Sequence, residues 1–329
     1  MKPWIDKNVL ITGCSGIIGS WLTKKLVEEG ANVVGIMRDH VGNKSIIQKD
    51  LLNGIYVAYG DIGDFLFVNR VVAEYEIDTV FHLAAQTIVT IANRSPLSTF
   101  ESNIKGTWTV LEACRLSPTV ERVVVASSDK AYGDSDQLPY RENQPLRGKH
   151  PYDVSKSCTD LLAQSYYHTY KLPVVISRLA NVYGGGDLNF NRIVPGSIKA
   201  VLGDRPPVIR SDGSPLREYL YVEDAVAAYL SLAENLHRPD VMGEAFNFAP
   251  NRPYSVIEIV EQIIRLTGKD IVPTILGGNS LGGEIFNQYS DSSKARELLD
   301  WQPSWDLAKG LVRTLEWYRR WLKVPDTAE

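Results

Sequence analysis

The chain has 329 residues, 44% of them apolar and 22% charged, with a net charge of −4. That length supports one large core or two modest ones. The mildly acidic balance argues against nucleic acid or an anionic membrane as partner, since both favour a basic face, but it permits a local basic pocket for a small phosphate ligand.

Apolar runs of strand length alternate with helical patterns through the first half. Strands are expected at 8–12, 32–37, 55–61, 79–84, 122–127 and 173–180. Helices are expected at 17–30, 64–76, 96–116 and 152–171. Short, fully apolar strands separated by helices imply a parallel sheet covered on both faces, an α/β doubly wound fold whose ligands sit beyond the carboxyl ends of the strands. After about residue 181 the texture changes to Gly-, Pro-, Asn- and Arg-rich stretches such as "YGGGDLNFNRIVPG". The expected organisation is a dinucleotide-binding domain over 1–180 and a smaller α/β substrate lobe over 181–329, with some segments returning to the first domain. The widely spaced Cys14, Cys114 and Cys158 read as reduced and packed, and the histidines show no metal-ligand spacing. The amino terminus runs straight into a strand, and no apolar stretch approaches bilayer length, so a cytoplasmic location is expected.

"TGCSGIIGSW" places Gly13, Gly16 and Gly19 between a strand and a helix. Glycines at this spacing allow a tight turn, close approach of a pyrophosphate, and close packing of the helix whose N-terminus favours the anion. Gly13, Ser15, Gly16, Ile17, Ile18 and Gly19 are therefore expected to cradle a nicotinamide dinucleotide. At the end of the second strand an acid would select NAD. Met37 stands near that place, followed by Arg38, suited to a 2′-phosphate, and Asp39, suited to ribose hydroxyls. Arg38 tilts the expectation towards NADP. Asp61 and Ile62 are expected at the adenine, with Leu83, Ala84 and Ala85 beneath the ribose and nicotinamide.

"PYDVSK" sets Tyr152 and Lys156 on one helical face, where an ammonium can favour the ionised phenol. Ser128 ends an upstream strand in "SSDKAYG". These three residues make a hydride-transfer apparatus in which Tyr152 takes the carbinol proton, Lys156 holds ribose, and Ser128 bonds the same oxygen.

With "FHLAAQ", "SNIKGTWTVLEAC", "RLANVYGGGD" and "REYLYVEDAV", these motifs make the chain resemble, over nearly its whole length, the extended short-chain dehydrogenase/reductase family of NDP-sugar epimerases and dehydratases. The resemblance implies that Gln86, Asn181 and Arg192 contact the sugar nucleotide, with Asn181 at its phosphates, and that Arg217 clamps the pyrophosphate. It also implies a homodimer joined through a four-helix bundle. Epimerases carry small or inert residues after the serine, whereas dehydratases commonly carry Asp-Glu. Here Asp129 and Lys130 follow, as in the CDP-glucose 4,6-dehydratase-like branch. The implied reaction is oxidation, loss of water and re-reduction of an NDP-hexose with recycled cofactor. Asp129 would protonate the departing hydroxyl and Lys130 would act as base. In the alternative, a 4-epimerase, both would be binding residues. A blander reading has Lys130 solvated and Asp129 capping the next turn.

Overall fold

The alternation of side chains along a strand builds this molecule from its first element. In β1 (Asn8–Thr12), Val9 and Ile11 pack into one hydrophobic cluster and Leu10 into another. A strand with both faces buried needs helices on each side. The computed structural model describes residues 3–39, 54–278 and 285–323. Its main sheet has seven strands in the order β3-β2-β1-β4-β5-β6-β11. Here β2 is Asn32–Met37, β3 Tyr56–Tyr59, β4 Thr79–His82, β5 Arg122–Ala126, β6 Val174–Leu179 and β11 Ala245–Phe248. Every neighbouring pair is parallel. Strand order reverses between β1 and β4, the place beyond whose carboxyl ends such sheets bind ligands.

Helix α1 (Ile17–Glu28) packs on one face beside α8 (Val222–Asn235), while α2 (Phe65–Glu74), α5 (Gly106–Leu116) and α6 (Pro151–Tyr170) cover the other. The region expected to be one helix over 96–116 is interrupted. It reads α4 (Pro96–Phe100), a widened π-type turn (Glu101–Lys105), then α5. The cause is Asn103, which is 1% exposed and turned inwards onto the backbone of residue 86. Such widened turns often mark functional positions.

Beyond Ala180 the chain leaves the sheet and twice returns to it. β7 (Asn181–Tyr183) pairs with β10 (Tyr219–Tyr221), outside the main sheet. α8 and β11 then rejoin the first layer system. A third hydrophobic cluster, with Ile198, Ile209, Ile263, Leu311 and Tyr318, holds the remaining elements together. Trp21 of α1 donates to the Gly185 carbonyl at 2.8 Å and ties the two parts together. Among the described residues, no helix is long and apolar enough to cross a membrane.

Candidate active site

The glycine array forms the β1–α1 turn. Gly13 has φ +74° and a Cβ there would lie 2.8 Å from the Ala84 nitrogen. At Gly19 a Cβ would lie 2.1 Å from the Gly13 carbonyl oxygen, so helix and turn are in direct contact. A Cβ at Gly16 would meet only the Gly13 oxygen, at an ordinary 3.4 Å. The protein's own packing does not require that glycine. Gly16 is also the N-cap of α1, which has neither a side-chain cap nor an acid in its first turn. First-turn amides and positive helix potential fit a pyrophosphate. Ser15, Ile17 and Ile18 lie in the same turn and helix start.

At the far end of β2, Arg38 and Asp39 pair with each other at 2.9 Å, both well exposed. Asp61 follows β3 and accepts from the Gly63 amide at 2.7 Å, while Ile62 is buried against Gly106. After β4, the amides of Leu83 and Ala84 both donate to the Thr12 hydroxyl at 3.1 Å. Ala85 continues the same extended stretch.

β5 ends where the reactive residues begin. Ser128 caps a 3₁₀ turn over Asp129–Tyr132 by accepting from the Lys130 amide at 3.2 Å. Ser128, not Asp129, therefore provides the cap, and the bland reading of that acid fails. The Ser128 hydroxyl donates to the Asp129 carboxyl at 3.0 Å. Burial pushes this carboxyl above its ordinary range, outweighing Lys130, Ser128, Arg217 and Gln288, which all favour the charged form. A carboxyl so placed remains protonated to higher pH. Lys130 is half-buried, and its ammonium donates to Gln288 Oε1 at 2.9 Å.

Tyr152 is 8% exposed, and burial pushes its phenol up to about 12. Arg192 is the strongest influence in the opposite direction, and a contact with the Ser128 side chain also lowers it. Lys156 donates to the Ala126 carbonyl at 2.7 Å, and burial lowers it to about 8.

Arg192 reaches Asp187 at 2.9 Å and the Thr87 hydroxyl at 3.1 Å. It therefore spans from the second lobe to the loop after β4. Gln86 uses its amide oxygen on the Ile88 amide at 3.1 Å. Asn181 donates to the Glu218 carbonyl at 3.2 Å. Arg217 is only 6% exposed, and its guanidinium donates to the carbonyls of Leu216, Ile285 and Phe286. The fold thus gathers Ser128, Asp129, Lys130, Tyr152, Arg192 and Arg217 into one electrostatic neighbourhood. Arg38, Asp61 and Ile62 lie apart from it, at the ends of β2 and β3.

A family model described as GDP-mannose 4,6 dehydratase matches residues 10–314. The chain belongs to that family. It is 31% identical to the CDP-glucose 4,6-dehydratase of Salmonella typhimurium, across 98% of this chain and 93% of that protein. A solved UDP-glucose 4-epimerase from Thermotoga maritima, with UDP-glucose, superposes with TM-score 0.87 at 28% identity, covering 96% of this chain and 99% of that one. A dTDP-glucose 4,6-dehydratase from Bacillus anthracis, in complex with NAD, superposes with TM-score 0.83 at 27% identity, covering 95% and 97%.

Two features of this family member escape inspection of the sequence. The first is a buried polar chain from the glycine loop to the Tyr152 helix. Thr12 meets His82 Nδ1 at 2.9 Å, and His82 Nε2 meets Thr107 at 3.0 Å. Thr107 donates to the Asn103 carbonyl at 2.6 Å, and Asn103 donates to Ser155 at 2.9 Å. Burial, helped by Lys156, drives His82 down to about 3, so the ring is a neutral structural link. The motif "SNIKG" was the available signal for Asn103. The second is Gln288, which lies 158 positions from Lys130 and gives no local signal.

Proposed function

We propose that this enzyme is an NDP-sugar 4,6-dehydratase acting on a CDP-glucose-like NDP-hexose. The observation that carries this reading is the Asp129–Lys130 pair. It is held at the carboxyl end of β5 beside Ser128 and Tyr152, where an epimerase has no need of two more ionisable groups. The Rossmann part, with its returning segments, would hold a nicotinamide dinucleotide, and the second lobe would hold the sugar nucleotide. A nicotinamide held there would supply hydride chemistry, as acceptor of the carbon 4 hydride and its donor to carbon 6. Tyr152 receives the hydroxyl proton from carbon 4, with Ser128 positioning the same oxygen and Lys156 holding the ribose. The resulting ketone acidifies the hydrogen at carbon 5. Lys130, as its free amine, removes that proton, and Asp129, whose pKa burial raises, gives its proton to the departing 6-hydroxyl. Arg192, Asn181, Gln86 and Arg217 would bind the sugar and its diphosphate, guanidinium being suited to the anionic oxygens.

The cradle at Gly13, Ser15, Gly16, Ile17, Ile18 and Gly19 suits either NAD or NADP, with Asp61, Ile62, Leu83, Ala84 and Ala85 along the adenosine and ribose. Arg38 favours NADP by its charge. Its engagement with Asp39, together with NAD in the solved dehydratase, shifts our proposal to NAD. Mass spectrometry of cofactor released by denaturation distinguishes the two. Leu97 and Trp108, 72% and 44% exposed, with Leu161 and Tyr170, both 55% exposed, stand on α4, α5 and α6. This apolar surface supports a homodimer through a four-helix bundle. The free cysteines are consistent with a cytoplasmic enzyme.

The test is incubation with a panel of NDP-hexoses, followed by detection of the 4-keto-6-deoxy chromophore in alkali. Asp129→Asn and Lys130→Met should still reduce the bound nicotinamide when substrate is added, yet release little product. Inversion at carbon 4 without loss of water would replace the dehydratase reading with an epimerase.

A further inference from the structure

Gln288 belongs to the segment that leads into α10 (Ser293–Leu299) and enters the site from the second lobe. Its side chain is fully buried, with 0% exposure. Its backbone is pinned, because its amide donates to the Leu216 carbonyl at 3.0 Å and it forms a parallel bridge with Arg217. An ammonium can only donate, so the 2.9 Å contact from Lys130 fixes the carboxamide oxygen on that side. The nitrogen is then left for the other side. Nε2 is buried and has no hydrogen bond of good geometry among the described residues. Asp129 precedes Lys130 in the same turn, and the Gln288 side chain is among the groups that favour its charged form. A buried amide nitrogen without a well-made bond is costly, on the order of 1–3 kcal/mol, and such orphans concentrate where a site is built for something other than stability.

We propose that Gln288 is a positioning residue for the elimination step, its carboxamide holding the Lys130 ammonium through oxygen and orienting the Asp129 carboxyl through nitrogen. The inference rests on the dehydratase reading and deepens it. Acid and base are consecutive residues at the start of a tight turn, where Ser128 bonds the acid's carboxyl and the base reaches Gln288. One rigid planar group bridging both fixes their two side chains relative to one another. Its attachment beside Arg217 places the same segment next to the residue proposed for the diphosphate. Gln288 touches no reacting atom, and its effect runs through Asp129 and Lys130.

The experiment compares Gln288→Leu and Gln288→Glu with the unsubstituted holoenzyme. One readout is the pair of half-reactions: nicotinamide reduction on adding NDP-hexose, and release of 4-keto-6-deoxy product. The other is the acylation rate of Lys130 by an amine-selective reagent, followed by peptide mass spectrometry with Lys156 as internal reference. Gln288→Leu is expected to slow product release by about tenfold or more, to leave nicotinamide reduction near native, and to change Lys130 acylation severalfold. Gln288→Glu keeps the acceptor for Lys130 and loses the donor to Asp129. Its Lys130 labelling should therefore stay native while elimination slows. Native elimination and native labelling in Gln288→Leu would overturn the proposal, as would equal loss of both half-reactions with labelling unchanged. If the unsubstituted enzyme eliminates no water from any NDP-hexose, the dehydratase reading falls. The labelling pattern then decides separately whether Gln288 holds Lys130.

Discussion

Lys156 is charged at a place that disfavours charge. It is 5% exposed, and burial lowers its pKa from 10.5 to about 8. Below both values the folded and unfolded chains carry the same proton, and the folded state bears the full penalty. Between about pH 8 and 10.5 the unfolded chain binds the extra proton, so stability must rise with pH across that window. A shift of that size corresponds to about 3 kcal/mol at pH 7, of which about 1 kcal/mol remains at about pH 9.5. Lys156→Met keeps the stem and removes the titration. It also leaves the Ala126 carbonyl without the 2.7 Å bond from Lys156, a loss of about 1–3 kcal/mol that is the same at both pH values. The difference in stability between variant and parent should therefore favour the variant by about 2 kcal/mol more at pH 7 than at about pH 9.5. Urea unfolding of cofactor-stripped protein, at one fixed protein concentration, measures it. A difference that is unchanged between the two pH values, or that moves the other way, would refute the claim that Lys156 is kept at a cost in stability.

Tyr152→Phe should lower turnover by about 10²-fold or more, the usual contribution of a positioned proton acceptor, without altering the unfolding midpoint; near-native turnover contradicts the assignment. Gly19→Ala sets a Cβ 2.1 Å from the Gly13 oxygen and should cost about 1–3 kcal/mol, with loss of dinucleotide during gel filtration. Asp160→Asn strips the charge partner from buried Arg178, which now donates to both Asp160 oxygens at 2.7 and 2.9 Å. Removing one member of such a pair should destabilise by about 3–5 kcal/mol; a shift under 1 kcal/mol in urea would show that solvent reaches Arg178.

Local chemistry was legible where one residue's neighbours in sequence are also its neighbours in space. The glycine turn, the end of β5 and the Tyr152–Lys156 face are of this kind, because turns, caps and helical spacing act within a few residues. The expected strands match β1 and β2 residue for residue, since apolar runs in a two-sided sheet have little freedom. The break in the 96–116 helix was hidden, because its cause is a side-chain bond between Asn103 and residue 86 rather than a helix-breaking residue.

Other decisions belong to tertiary structure alone. That Arg192 acts on Tyr152 depends on the start of the helix over 193–202 reaching back to Thr87. That the Asp129 pKa is raised depends on burial, which no motif records. That Lys130 meets the Gln288 amide oxygen depends on a segment 158 residues from Lys130 returning to the end of β5. The sequence by itself determined which chemical groups this protein has and which short stretches carry them. Desolvation and long-range electrostatics decided their protonation and orientation, because both depend on what surrounds a group in space, which only the assembled fold defines.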